Sequence, residues 1–295
     1  MTESRIVAAY AHTMRTTSAL SVAGVLAAVL LVTGGCAVHP DGWDASPSAS
    51  ASTPSSHGAS HSPSQSPSGS PSGDPSGLPS AQLPLPTTKV PLPPGTLTGL
   101  PKGGNYLAWT VDDGADPEVV DAYVDFAKRT GTRLTFFING QYPSWTRVAD
   151  KLRPLVQSGQ IQIGNHTWDH PALTKISDQQ IRDELTKNDE FIEKTFGVSA
   201  KPYYRPPFGF HNAHTDAVAA SIGYTVPVLW YGSLSDSGLI TPDQVVSFAN
   251  QWFLPGHIVI GHANHAPVTQ VFDQLEKIVQ ERGLRTVTLR DIYQS

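Results

Sequence analysis

The sequence predicts an α/β fold, an irregular (β/α) barrel of about seven strands, and two patterns along the chain predict it. From Gly104 onward, strand-like segments alternate with amphipathic, helix-like ones in a single run, which implies parallel strands. The residues with chemistry to offer then fall at the ends of several different strands. Asp112 and Asp113 follow the first, His166 and His170 the third, Arg205 closes the fourth, and His262 follows the sixth. Groups gathered from many strand ends belong to a barrel, whose βα loops converge on one face, whereas an open sheet concentrates its site at one switch point.

The strands are expected at 106–111, 133–138, 160–164, 202–205, 224–229, 257–261 and 285–289. Helix signals lie between them. Asp116-Pro117 opens one helix and Gly131 closes it, and Ser177 with Gln180 makes a capping-box pattern for a helix that Gly197 ends. Thr241-Pro242 starts another.

Ahead of this domain the chain has a different texture. An apolar run at 19–32 follows Arg15 and ends in Thr33-Gly34-Gly35-Cys36. It is shorter than the roughly 20 residues of a membrane span, and small residues before a cleavage point fit a signal peptide. Cysteine directly after them resembles a bacterial lipobox, with Thr33 where that pattern prefers Leu, so Cys36 is expected to carry a lipid as the first mature residue. A plain secreted protein and an uncleaved anchor are the alternatives. Met14-Arg15 gives a more conventional start to such a segment than Met1 does. From about 46 to 94 the chain is Ser, Pro, Gly and Ala with little else, too poor in apolar surface to offset its conformational entropy. As a flexible coil this leash spans about 40 Å. The expected organisation is a signal segment at 1–36, a Ser/Pro-rich disordered linker at 37–100 and a catalytic domain at 101–295, exported to the outer face of the membrane or to the wall.

Charge excludes one class of partner. The chain carries 25 acidic and 20 basic residues, a formal net charge of −5, without a long Lys/Arg run, so no nucleic acid is expected. No protein partner is inferred. Cys36 is the only cysteine, which excludes an intrachain disulfide.

In the domain, His166-Thr167-Trp168-Asp169-His170 sets two imidazoles four residues apart, a spacing that brings them onto one side of a helical turn and within reach of one metal ion. Surface histidines also occur at that spacing by chance. In Asp112-Asp113-Gly114 two adjacent carboxylates repel unless a cation or donors compensate, which suits one as metal ligand and the other as base, although a solvated turn has the same composition. Arg205-Pro206-Pro207-Phe208-Gly209 places a guanidinium at the entrance of a stiff segment, where it can orient a carboxylate or make an ordinary surface pair. The buried run Ile258-Val259-Ile260-Gly261 ends in His262, a natural place for a general acid and equally for a core histidine.

Taken in order, these pieces resemble the polysaccharide deacetylase family, with the NodB homology domain of carbohydrate esterase family four. Thr110-Val111-Asp112-Asp113-Gly114 is similar to the family's Thr-Phe-Asp-Asp-Gly, His166 to His170 to its His-Ser/Thr-x-x-His, and Arg205 to Gly209 to its Arg-x-Pro-Phe/Tyr-Gly. Thr135 to Gly140 resembles its second strand, and Ile260-Gly261-His262 its Leu-x-His motif. The departure lies in Trp230 to Ser237, where Ser233 and Ser237 replace an Asp and a Trp of the family pattern while Asp236 persists.

The resemblance implies a NodB-type barrel and a metal-dependent hydrolase that removes N-acetyl groups from an amino-sugar polymer. Asp113, His166 and His170 would hold a divalent metal, Zn²⁺ by expectation, and Asp112 would be the base. His262 would protonate the leaving amine, Arg205 would orient Asp112, and Asp236 would tune His262 or anchor Arg205. The Phe208 backbone N–H would face the developing oxyanion, and Trp230 would contact substrate. O-deacetylation of xylan or another polysaccharide, a silent wall-binding module and a small-molecule amidase are the other readings. Peptidoglycan N-acetylglucosamine is the first expected polymer and chitin-like oligomers the next. His211, His214, His257 and His265 have no motif role and are expected to be structural or exposed.

Overall fold

The computed structural model describes residues 84–294, so the signal segment, Cys36 and most of the linker lie outside the described residues. Among the described residues, eight strands form one parallel sheet: β1 (Tyr106–Asp113), β2 (Leu134–Ile138), β3 (Ile161–Asn165), β4 (Tyr203–Tyr204), β5 (Val226–Pro227), β6 (Gly232–Ser233), β7 (Ile258–His262) and β8 (Arg285–Thr286). Their order is β5-β4-β3-β2-β1-β7-β6, with β8 paired to the start of β1. Every residue of β2 and β3 is buried, as the near-continuous apolar runs of a covered parallel sheet require.

Helices α1 (Pro117–Thr130), α2 (Pro143–Arg147), α3 (Ala149–Gln157), α4 (Asp178–Phe196), α5 (Ala213–Ala220), α6 (Pro242–Trp252), α7 (Phe272–Glu281) and α8 (Leu289–Ile292) connect the strands. The sequence signals set their ends. Asp116 accepts from the Glu118 and Val119 amides and Gly131 closes α1 at φ 73°; Ser177 with Gln180, and Thr241 with Gln244, form complete capping boxes. Each such cap contributes about 1 kcal/mol. The inner face of α1 meets Trp109 of β1 through Tyr123 and Phe126, and Phe126 stacks on Phe272 of α7.

All seven expected strands occur, three of them shortened to two residues. The last stops at Thr286 because Thr288 and Asp291 cap each other and turn the chain into α8. Strand β6 is additional, formed by a Gly-Ser pair without the apolar alternation that would have marked it.

The domain begins earlier than residue 101. Leu97, placed in the linker by composition, is buried and forms a parallel bridge with Val228, while Gly99 bridges His257 beside the other edge of the sheet. The Leu97 amide donates to Pro227 O and the Leu100 amide to Gly256 O. These residues therefore tie the β5 side to the base of β7 and complete the barrel wall. Further upstream, the Val90 amide donates to Ile292 O, and Leu85, Val90 and Leu92 pack on the second core cluster. Their proline-rich surroundings hide them from a compositional reading.

Register is what brings the functional residues level. Asp112 is the Cα partner of His262 on β7, Asp113 pairs with Ile138, and Ile138 pairs with Asn165, the residue before His166. The Arg205 amide donates to Asn165 O at 2.8 Å, which sets Arg205 at the same height. The ends of β1, β2, β3, β4 and β7 thus lie together on one face of the barrel.

Candidate active site

Asp112 is buried at the end of β1, and its Oδ1 accepts from Arg205 Nη1 at 2.5 Å. Arg205 is completely buried as well. Its remaining donors reach Thr110 Oγ1, Val228 O and Leu229 O, and its guanidinium lies 4.2 Å from the centre of the Phe137 ring. A buried arginine so fully partnered is an orienting group, and the ordinary surface pair considered from sequence does not apply. Because Oδ1 of Asp112 is committed to Arg205, Oδ2 is the oxygen that faces the histidines, 3.5 Å from His166 Nε2.

The two histidines converge, but along a different backbone from the expected helical turn. Residues 166–170 form a loop in which Thr167 and His170 take the left-handed region at φ 68° and 66°. Such non-glycine conformations persist where surrounding contacts over-determine them. Here Asn139 Nδ2 donates to the His166 and Thr167 carbonyls, Asn165 Oδ1 accepts from the Thr167 amide, and Glu184 Oε2 of α4 accepts from the amides of Trp168 and Asp169. His166 and His170 end with ring centres 4.8 Å apart.

Asp113 shares this strained geometry, at φ 70°. Its carbonyl accepts from Trp145 Nε1, and a Cβ on the following Gly114 would stand 2.4 Å from the Trp145 ring, so only glycine fits there. Asn264 holds the carboxylate from the far side, Nδ2 donating to Asp113 Oδ2 at 2.6 Å while its Oδ1 accepts from the Ala115 amide.

The remaining oxygen tests whether a cation fits. Asp113 Oδ1 is buried without a hydrogen-bond donor, and the nearest nitrogens are His166 Nε2 at 3.3 Å and His170 Nε2 at 3.6 Å. His166 donates Nδ1–H to Arg205 O at 2.7 Å, which leaves Nε2 directed at the carboxylate. Burial, reinforced by the neighbouring His166 charge, pushes the His170 pKa down to about 4, so this ring is neutral near pH 7 and offers a lone pair. One carboxylate oxygen and two imidazoles whose donor atoms lie within 4.8 Å of one another form a set suited to a divalent cation such as Zn²⁺. Burial works against ionised Asp113, yet the charges of His166 and His262 and the Asn264 hydrogen bond hold its pKa well below the usual carboxylate range.

On the opposite side His262 Nδ1 pairs with Asp236 Oδ1 at 3.0 Å. Of the two roles considered for Asp236 the structure places it on His262, not on Arg205. Burial lowers the His262 pKa, but the Asp236 hydrogen bond and the charges of Asp112, Asp236 and Asp113 outweigh it and raise the value.

These groups open into a pocket of about 420 Å³ that is also lined by Pro206, Phe208, Gly209, Trp230, Ser233, Ser237 and Ile260. Phe208, Trp230 and both serines of the divergent segment are therefore at the site. Trp145 and Tyr203 are buried in the core. His211 and His214 pair with Asp216 and Asp178, and His257 donates to Trp252 O, away from the pocket. Sequence reasoning missed Asn139, Asn165, Glu184 and Asn264, which hold the ligand loops across sequence separations with no periodic signal.

Comparison with known proteins agrees with this construction. A family model described as polysaccharide deacetylase matches residues 100–227. The chain is similar to a peptidoglycan-N-acetylglucosamine deacetylase of Bacillus cereus, 26% identical over 193 residues that make up 64% of this chain and 68% of that protein. It is 30% identical over 198 residues to chitin deacetylase 1 of Cryptococcus neoformans, covering 64% of this chain and 38% of that protein. A solved T48 deacetylase with substrate aligns at 30% identity with a TM-score of 0.56, over 63% of this chain and 88% of that one. The chain belongs to the polysaccharide deacetylase family, as its motifs suggested.

Proposed function

We propose that the chain is a metal-dependent deacetylase that removes N-acetyl groups from an amino-sugar polymer, peptidoglycan N-acetylglucosamine before chitin-like oligomers. The observation that carries this reading is the placement of Asp112 and His262 as register partners on adjacent strands, flanking the Asp113-His166-His170 set. One is oriented by a buried arginine and the other by a buried aspartate, which divides base from acid.

Asp113, His166 and His170 would hold a divalent cation, which when bound would supply Lewis-acid polarisation and a more acidic water. Asp112 takes the proton of the attacking water through Oδ2. Arg205 keeps that carboxylate turned towards the pocket. The oxygen–carbon bond forms at the acetamide carbonyl, whose developing negative charge the Phe208 backbone N–H would stabilise. His262 then delivers a proton to the amine nitrogen through Nε2, its Nδ1 being committed to Asp236. The carbon–nitrogen bond breaks, and acetate and the free amino sugar leave.

The sequence supports placing this activity outside the cell. The apolar run at 19–32, Cys36 and the Ser/Pro-rich leash suit a lipid-anchored domain reaching into the wall, and among the described residues no helix is long and apolar enough to cross a membrane. Loss of radiolabelled-lipid incorporation in Cys36→Ser tests the anchor. Incubating the Zn²⁺-loaded chain with purified peptidoglycan, chitooligosaccharides and acetylxylan tests the substrate. Acetate from the amino-sugar polymers is the expected result, and acetate from acetylxylan alone would replace the proposal with O-deacetylation.

A further inference from the structure

Burying a phenyl ring stabilises a fold by roughly 1.5–3 kcal/mol, so an exposed pair of rings on a rigid support needs a reason. Phe208 and Phe210 are 59% and 56% exposed, their centres 5.8 Å apart and their planes tilted by 37°. The Phe208 ring also meets the His170 ring edge-on at 4.5 Å. The three rings form a staircase from a metal ligand, past the pocket rim, to open solvent.

The support is unusually constrained. Phe208 is held in the left-handed region at φ 59°, a costly conformation for a bulky residue, and is followed by Gly209 at φ 70°. The Gly209 amide donates to Pro206 O and the Phe210 amide to Pro207 O, each at 3.0 Å. A Cβ on Gly209 would come to 3.3 Å from Trp230, so the turn is packed against that ring. Just beyond, His211 is tied to Asp216 at 2.9 Å, and Asp216 also accepts from the Tyr204 hydroxyl at 2.7 Å. Fixed aromatic faces bind with little loss of conformational entropy.

We propose that Phe210, with Phe208, is a stacking platform for the sugar next to the one being deacetylated, and so makes the enzyme prefer oligomers over single residues. The inference rests on the polymer reading above. The occupant follows from continuity with the pocket and from charge. Outside the cation set, Asp112 and His262, the pocket lining is neutral, with the Pro206, Phe208 and Trp230 side chains and two serine hydroxyls, which suits an uncharged ring with one apolar face and hydroxyl edges. Phe210 lies outside that lining, exposed beside Phe208, which is part of it.

The test uses the full chain loaded with Zn²⁺ and compares wild type, Phe210→Ala and Phe210→Tyr. Two readouts are taken on N-acetylglucosamine and tetra-N-acetylchitotetraose: binding by calorimetry, and kcat/KM for acetate release. Phe210→Ala should lower the tetramer-to-monomer preference by roughly 3- to 10-fold, mainly through KM, and Phe210→Tyr should restore it. A preference unchanged in Phe210→Ala, or lost equally in Phe210→Tyr, overturns the platform. If the tetramer binds more tightly than the monosaccharide, loses that advantage in Phe210→Ala, and yields no acetate, the platform stands and the deacetylase reading falls. If acetate appears and the preference ignores Phe210, the reverse holds.

Discussion

Arg205 and Asp112 form a closed pair: Nη1 lies 2.5 Å from Oδ1, and neither side chain is open to solvent. Removing one partner of a buried pair leaves an uncompensated charge, with a cost of about 3–5 kcal/mol. Arg205→Ala is therefore expected to lower the melting temperature clearly and to abolish acetate release. Arg205→Lys keeps the charge but loses the fork that also serves Thr110, Val228 and Leu229, and should fold while losing most of its kcat. Thermal unfolding beside steady-state kinetics checks both.

The pairing of Asp236 with His262 predicts a pH effect of defined sign. The folded-state pKa of His262 is raised despite burial, so its acid form, and the stability the pair contributes, are present below the ordinary value near 6.5 and are lost as pH rises through the raised one. A general acid makes the rate fall along the same limb. Asp236→Asn removes one raising charge and weakens the hydrogen bond, so the alkaline limb of kcat should move to lower pH. A limb that stays in place would remove His262 from the acid role.

Metal affinity should depend on residues that are not ligands. Asn264 fixes one oxygen of Asp113 and leaves the other facing the histidines. Asn264→Ala is expected to weaken Zn²⁺ binding about 10- to 100-fold in chelator competition, and Glu184→Ala to do so less while exposing the Trp168 and Asp169 amides to hydrogen exchange. At a free Zn²⁺ concentration 100-fold above its Kd, binding should stabilise wild type by about 2.7 kcal/mol.

Leu97 should behave as a core residue. It is buried beside Val228 within the second core cluster, so Leu97→Ala is expected to cost about 2–5 kcal/mol in denaturant unfolding. A fragment beginning at residue 104 should be less stable than one beginning at residue 84, because it lacks the segment that joins β5 to the base of β7.

What the sequence made legible were local patterns. Asp116-Pro117, Ser177 with Gln180 and Thr241-Pro242 announced helices because a cap is complete within four residues. The strand-end placement of Asp112, His166, Arg205 and His262 pointed to a barrel, and register then brought them together. Long-range dependence stayed hidden. Nothing near Asn264 signals a bond to Asp113, 151 positions away, and nothing in the Pro-rich stretch before residue 101 marks Leu97 as part of the wall. The His166–His170 spacing suggested the right partners through the wrong backbone, since the loop is set by Asn139 and Glu184 and not by helical geometry.

The central claim is tested most directly by acetate release from chitooligosaccharides and purified peptidoglycan by the metal-stripped chain, before and after reloading with Zn²⁺, beside Asp112→Asn. Activity that is absent without metal, returns with it and is lost in Asp112→Asn is the predicted result. Metal binding at the Asp113-His166-His170 set with no acetate from either polymer would contradict the account and leave a binding module in its place.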